Sequence, residues 1–151
     1  MTRTICQLLL VFALLGLTAC SGKKTAPEEA LRAWVDTAEL AAEEKDRGAL
    51  IELISPDYAD ARGNDRQAVD RVLRWWFLRQ RGIALLTKID NIEVYNDTAA
   101  KVALTVGMAA TGGNAFGLNA DAYRFELDMV LDDDEWLLIA ARWGEIGKEL
   151  E

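Results

Sequence analysis

The sequence contains no histidine, and its two cysteines, Cys6 and Cys20, both fall within the first twenty of 151 residues. Without imidazole, the Ser-His-Asp and Cys-His nucleophile systems and histidine-assisted proton transfer are excluded. Without thiols beyond Cys20, the rest of the chain has no disulfide and no zinc site built on thiolate or imidazole. Positive charge is scarce, with 17 Lys and Arg against 25 Asp and Glu and a formal net charge of −8. Such a balance is wrong for nucleic-acid binding, which takes most of its affinity from neutralised phosphates. Long apolar runs are missing too: the longest, residues 8–17, is too short for a comfortable membrane span.

That short run is informative. Arg3 supplies a positive start, residues 8–17 have the length of a signal peptide's apolar core, and small residues follow. Leu17-Thr18-Ala19-Cys20 then resembles the lipobox at which bacteria acylate and cut lipoproteins. The competing reading is an uncleaved N-terminal anchor helix. The resemblance implies a diacylglyceryl group on the Cys20 sulfur, cleavage before Cys20, and a further acyl chain on the new amino group. Two or more chains anchor stably where one binds marginally. Ser21 in place of the Asp that retains lipoproteins in the inner membrane implies an outer-membrane address facing the periplasm. Residues 20–25 are the acylated cysteine and a tether. At the reach of an extended chain, residues 21–26 span at most about 20 Å. Lys23 and Lys24 lie beside the lipid. Each gains about 1 kcal/mol there if the head groups are anionic; a solvated linker is the alternative. Processing removes one base and no acid, taking the formal charge from −8 to −9. The remaining residues suit one domain, expected at 26–147 with a tail at 148–151.

Helical spacing dominates the first half. Thr25 and Glu28 form a capping box, and a helix is expected over residues 26–46 with Leu31, Trp34, Val35, Ala38, Ala41 and Ala42 on one face. Its opposite face carries Glu29, Arg32, Asp36, Glu39 and Glu43, a mainly acidic stripe. Gly48 is expected to break the pattern, a short second helix to occupy residues 49–54, and Ser55-Pro56-Asp57 to stop it. Asn64 with Gln67 then caps a third helix, whose face is Val69, Val72, Leu73, Trp76 and Phe77 and whose end is Gly82. This helix is a basic island, with Arg66, Arg71, Arg74, Arg79 and Arg81 against Asp65 and Asp70. The expectation is that it lies between a sheet and the first helix, whose acidic stripe is its natural partner.

From residue 83 the period is two. Residues 83–95 read as one long strand or a bent pair, 99–108 as the next, 123–131 as a third and 135–143 as the last. Thr111-Gly112-Gly113-Asn114-Ala115-Phe116-Gly117 is a hairpin tip or mobile loop, and Asp132-Asp133-Asp134 a turn. Helices followed by an antiparallel meander indicate an α+β domain with three helices on one face of a curved sheet.

The order of elements from about residue 26 to 145 resembles the nuclear transport factor 2-like superfamily, shared with polyketide cyclases and ketosteroid isomerase. The resemblance rests on Leu50-Ile51-Glu52-Leu53-Ile54-Ser55-Pro56-Asp57-Tyr58 after a helix, the Arg- and Trp-containing third helix, paired strands through Ile92-Glu93-Val94-Tyr95-Asn96-Asp97, and Glu135-Trp136 opening the final strand. It implies a cone-shaped fold with an apolar pocket at the wide end, where some members move protons and many only bind or dimerise. Catalysts of the Asp-His type are ruled out by composition.

Asp57 and Tyr58 are weak catalytic candidates, a carboxyl with a raised pKa and a phenol to polarise a carbonyl; the alternative is a turn cap and a rim residue. Trp34, Trp76, Tyr123 and Phe125 are pocket candidates, against plain core packing. Arg71, Trp75 and Arg79 are candidates for a partner-facing patch, against the preferred reading of burial under the first helix. The 132–135 acidic run is explained by a turn. The Asp60 loop fails as a calcium loop because Arg62 stands where an acid or amide is needed. No metal or cofactor is expected. The sequence supports a non-catalytic binding module for an envelope partner or a small apolar ligand, with an isomerase- or cyclase-like enzyme as rival. A third reading is a homodimer through the face bearing Lys101, Ala103, Thr105 and Gly107.

Overall fold

A computed structural model of the protein describes residues 26–112 and 118–151, and the side chains of 26–109 and 121–151. The lipobox with Cys20, the tether and residues 113–117 lie outside the described residues. Helix α1 spans Pro27–Glu43, α2 Arg47–Glu52 and α3 Arg66–Arg79, followed by strands β1 Gln80–Asn96, β2 Ala99–Gly112, β3 Leu118–Asp132 and β4 Glu135–Glu145. The strands form one antiparallel sheet in the order β1-β2-β3-β4, curved and unclosed. The α+β architecture expected from the sequence is the one observed.

Several helix boundaries differ from expectation. Helix α1 begins at Pro27 with Ala26 at the cap position and no side-chain hydrogen bond there. It stops at Glu43 because Lys45 turns the chain through φ 57°, and the Asp46 carboxylate then accepts the Ala49 N–H at 3.0 Å to cap α2. Gly48 therefore sits inside α2 and breaks nothing. Helix α3 is capped by Asp65, which accepts the Ala68 N–H at 2.7 Å, and not by Asn64, whose side chain is committed to Asp60. An aspartate serves this position as well as an asparagine does. Helix α3 ends at Arg79, and Gln80 is already extended at the start of β1, so Gly82 belongs to the strand.

The core packs α1 on the sheet. Leu31 and Val102 are fully buried, and Val35, Leu104, Leu127, Met129 and Trp136 join them. Each such side chain contributes about 1.5–3 kcal/mol by leaving water. Among the described residues the core runs from Leu31 to Ala141, so the domain after Cys20 holds a core of its own. Strand β1 changes register between Ile89 and Asn91, and that bulge bends the long strand around the helices. The segment after α2 adds to the far edge of the sheet: Ser55 N–H donates to Leu138 C=O at 2.9 Å and Leu138 N–H to Leu53 C=O at 3.0 Å. This edge pairing places Tyr58 under the sheet.

The position of α3 departs from expectation. It is not sandwiched under α1: it leans on α2 and the start of β1, and the Asp70 carboxylate is held by Arg47 at the head of α2. Glu43 of the acidic stripe accepts the Leu85 N–H at 2.7 Å instead of meeting an arginine. A helix held at its ends and not along its length leaves space between itself and the sheet.

Candidate functional site

That space is an apolar cleft in two adjoining lobes. The inner lobe, about 300 Å³, is walled by Trp34, Val35, Ala38 and Ala42 of α1, Leu73 and Trp76 of α3, and Leu85, Leu104, Val106, Met108, Phe125 and Leu127 of the sheet. The second, about 350 Å³, lies between Val69, Val72 and Leu73 of α3 and Phe125, Leu127, Leu138, Ala141 and Trp143 of β3 and β4, with Tyr58, Asp60 and Asn64 at its floor. Leu73, Phe125 and Leu127 belong to both lobes and form the partition. Volumes of this size suit small molecules. A separate hollow of about 400 Å³, rimmed by Glu52, Asp134 and Glu135, touches the other side of Trp34.

Strand alternation explains the wall. Leu104, Val106, Phe125 and Leu127 face inward at every second position. Pairing of Leu104 with Phe125 and of Val102 with Leu127 brings them side by side. Trp76 tilts against Phe77 with ring centres 5.5 Å apart, and Tyr123 against Phe125 at 6.5 Å. Of the four pocket candidates, Trp34, Trp76 and Phe125 line the cleft, whereas Tyr123 flanks Phe125 outside it. The Trp34 indole N–H is buried without a hydrogen-bond partner among the described residues.

The polar floor is closed on itself. Asp60 is buried and accepts from the Arg62 N–H at 2.9 Å, the Asn64 N–H at 2.8 Å, the Asn64 side-chain amide at 2.8 Å and the Tyr58 hydroxyl at 3.4 Å. Burial raises its pKa, but the hydrogen bonds from Asn64, Arg62 and Tyr58 outweigh burial and hold the carboxyl below its ordinary value. Burial, then the Asp60 charge and the hydrogen bond to it, push the Tyr58 phenol well above the usual range. At neutral pH the floor therefore presents an ionised acid and a protonated phenol.

Of the two catalytic candidates, Tyr58 is in the cleft and Asp57 is not: Asp57 is exposed, and its N–H donates to the Ser55 hydroxyl at 3.2 Å. Asp60, considered in the sequence only as a failed calcium ligand, is the carboxylate beside Tyr58. The signal for it is present in Asp60-Ala61-Arg62-Gly63-Asn64, where an aspartate precedes a glycine at φ 79°. An aspartate in such a turn caps its own loop. Arg62 stacks 4.4 Å from the Trp143 ring centre, and Glu151 lies 3.3 Å from the same guanidinium. Among the described residues no cluster of three acidic side chains is placed to hold a metal ion.

The third set of candidates sits on the far side of α3. Arg71, Trp75 and Arg79 are exposed, and the Arg79 guanidinium lies 3.7 Å over the Trp75 ring. Burial of Trp75 under α1, the preferred sequence reading, does not occur, because α3 turns Leu73 and Trp76 toward the cleft, buries Phe77 and turns this face toward water.

No protein-family model matches the sequence, and no curated protein matches it by sequence. Solved structures match by shape. A nuclear transport factor 2-like superfamily protein from Salmonella enterica serovar Typhimurium LT2 superposes with TM-score 0.64 at 14% identity, over 78% of this chain and 89% of that one. A ketosteroid isomerase-like protein from Erwinia carotovora atroseptica gives TM-score 0.65 at 12% identity, over 79% and 95%. An NTF2-like family protein from Streptomyces avermitilis, provisionally described as a dehydratase, gives 0.69 at 14%, over 80% and 96%. From its first helix to its last strand, this chain has the nuclear transport factor 2-like fold.

Proposed function

We propose that this chain is a lipid-anchored envelope protein, acylated at Cys20 and facing the periplasm, whose cleft binds a small apolar ligand without transforming it. The observation that carries the binding role is the makeup of the cleft: apart from Glu39 and Thr87 in the inner lobe its walls are hydrocarbon and aromatic, and the polar atoms at its floor already satisfy one another. An apolar ligand loses little by entering, since no buried donor or acceptor has to be broken away for it.

The rival reading, an isomerase- or cyclase-like enzyme, rests on the closeness of Tyr58 to Asp60. A carboxylate with a lowered pKa is a weak base, and its lone pairs are taken by Asn64 and Arg62. A phenol with a strongly raised pKa already donates to that carboxylate. The pair is better suited to holding the loop than to moving a proton.

The anchor and the binding role are tested separately. Intact-mass analysis of the native product is expected to show a chain beginning at Cys20 and carrying acyl chains; an unmodified sulfur, or a chain beginning at Met1, removes the anchor. Solvent extraction of the purified protein, followed by mass spectrometry, is expected to release one apolar compound that the cleft-filling variant Leu73→Trp lacks. Identical extracts from both proteins, together with no uptake of a neutral apolar dye, overturn the binding role.

A further inference from the structure

The outward face of α3 has a composition that its own fold does not use. Val72, at the rim of the cleft's second lobe, and Trp75 and Leu78 beyond it are 61%, 55% and 82% exposed. Spaced three residues apart, these three large apolar side chains share one side of the helix. Arg71, Arg74 and Arg79 surround them, all exposed. Among the described residues of α3 no acid stands on this side: Asp70 lies on the opposite edge, engaged by Arg47 and, at 3.8 Å, by Arg74, while Asp65 just before the helix is spent on its cap. The rest of the protein is strongly acidic, so the cations are concentrated where the apolar residues are.

We propose that this face of α3 docks on an anionic lipid surface, inserting Trp75 and Leu78 at the headgroup boundary while Arg71, Arg74 and Arg79 meet lipid phosphates. The exposed apolar residues need a nonpolar phase and the arginines need anions, and a bilayer interface offers both at adjacent depths. Tryptophan suits that boundary because its ring is apolar and its N–H is polar. Arg79 over its face keeps a charge at the same level. An acidic protein surface would satisfy the arginines but would leave Leu78 facing polar groups. The proposal rests on the membrane-surface address given above and adds a second contact to it, one that sets the orientation of the cleft relative to the bilayer.

The test uses the chain from Ser21 onward, which carries the whole described core and lacks Cys20, so that its outcome does not depend on acylation. Its affinity is measured by co-sedimentation with vesicles of phosphatidylglycerol and phosphatidylethanolamine, and with vesicles of phosphatidylcholine alone. The expected result is binding to the anionic vesicles only, weakened by salt. Arg71→Gln with Arg79→Gln should weaken it about thirtyfold. Trp75→Ser with Leu78→Ser should remove it while the circular dichroism stays unchanged, since both side chains are exposed. Absence of binding to anionic vesicles, equal binding to both vesicle types, or binding indifferent to these substitutions overturns the proposal. So does a chain that ignores vesicles and associates with an acidic protein through the same residues. Acylation, read by mass in the native product, stands or falls separately from each of these results.

Discussion

The Tyr58 hydroxyl lies 3.4 Å from a carboxylate oxygen of Asp60, and both groups are buried at one end of an otherwise apolar cleft. Their relationship is structural: the aspartate collects the amides of residues 62 and 64 and fixes the loop that leads into α3. Replacing Asp60 by Ala should cost about 3 kcal/mol, because it leaves the N–H groups of that loop without an acceptor. Tyr58→Phe should cost about 1 kcal/mol. Urea denaturation of both variants checks the order, which reverses if the tyrosine and not the aspartate holds the floor.

The same pair sets two pH limits. Asp60 has a lowered pKa in the folded state. Its contribution is therefore complete above the unfolded value, near pH 4, and is lost as pH falls through the folded value. Tyr58 has a raised pKa. Its contribution is complete below the unfolded value, near pH 10, and is lost as pH climbs toward the folded value. Stability measured between about pH 9 and 11 should fall in the wild type and fall less in Tyr58→Phe. Equal slopes in the two proteins would show that Tyr58 ionises freely.

A third prediction concerns the end of the chain. A Cβ placed on Gly144 would stand 2.6 Å from the Glu149 carbonyl oxygen, a backbone atom that cannot rotate away. Trp143 and Glu151 exchange N–H···O=C bonds at 3.1 and 3.2 Å in the same region. Gly144→Ala should therefore displace the last residues, cost about 1–3 kcal/mol, and raise amide exchange at residues 148–151. Unchanged exchange there would mean that the tail is not seated on β4.

Burial separates two helical leucines, since Leu31 is fully buried and Leu78 is exposed. Leu31→Ala should cost about 3–4 kcal/mol. Leu78→Ala should change stability by no more than about 0.5 kcal/mol. Thermal unfolding of the two variants distinguishes them. A large loss in Leu78→Ala would mean that α3 packs differently.

Much of the fold is legible in the sequence because period carries it. Leu31, Val35 and Ala41 recur at helical spacing and are buried, and the alternation Val102, Leu104, Val106 faces the core and cleft. What period cannot carry is competition for single side chains and the placement of one helix. Asn64 has the sequence context of a cap, but Asp60 takes its amide, a contact four residues back that periodicity does not register. Helix α3 has apolar residues on nearly every side, and the sequence alone favours burying all of them. Its inward set, Leu73, Trp76 and Phe77, wins; Val72 is left at the rim of the cleft, and Trp75 and Leu78 are left outside. The cleft follows the same pattern: aromatic walls are readable from spacing, but the choice of Asp60 over Asp57 requires the edge pairing of Ser55 with Leu138.

The most direct check on the cleft as a binding site is isothermal titration calorimetry of the chain from Ser21 onward with a neutral apolar probe such as N-phenyl-1-naphthylamine, at several temperatures. Binding should be saturable at one probe per chain with a negative heat-capacity change. Leu73→Trp, which fills the partition between the two lobes, should abolish it. A titration showing no saturable heat, or the same heat in Leu73→Trp, would contradict the account.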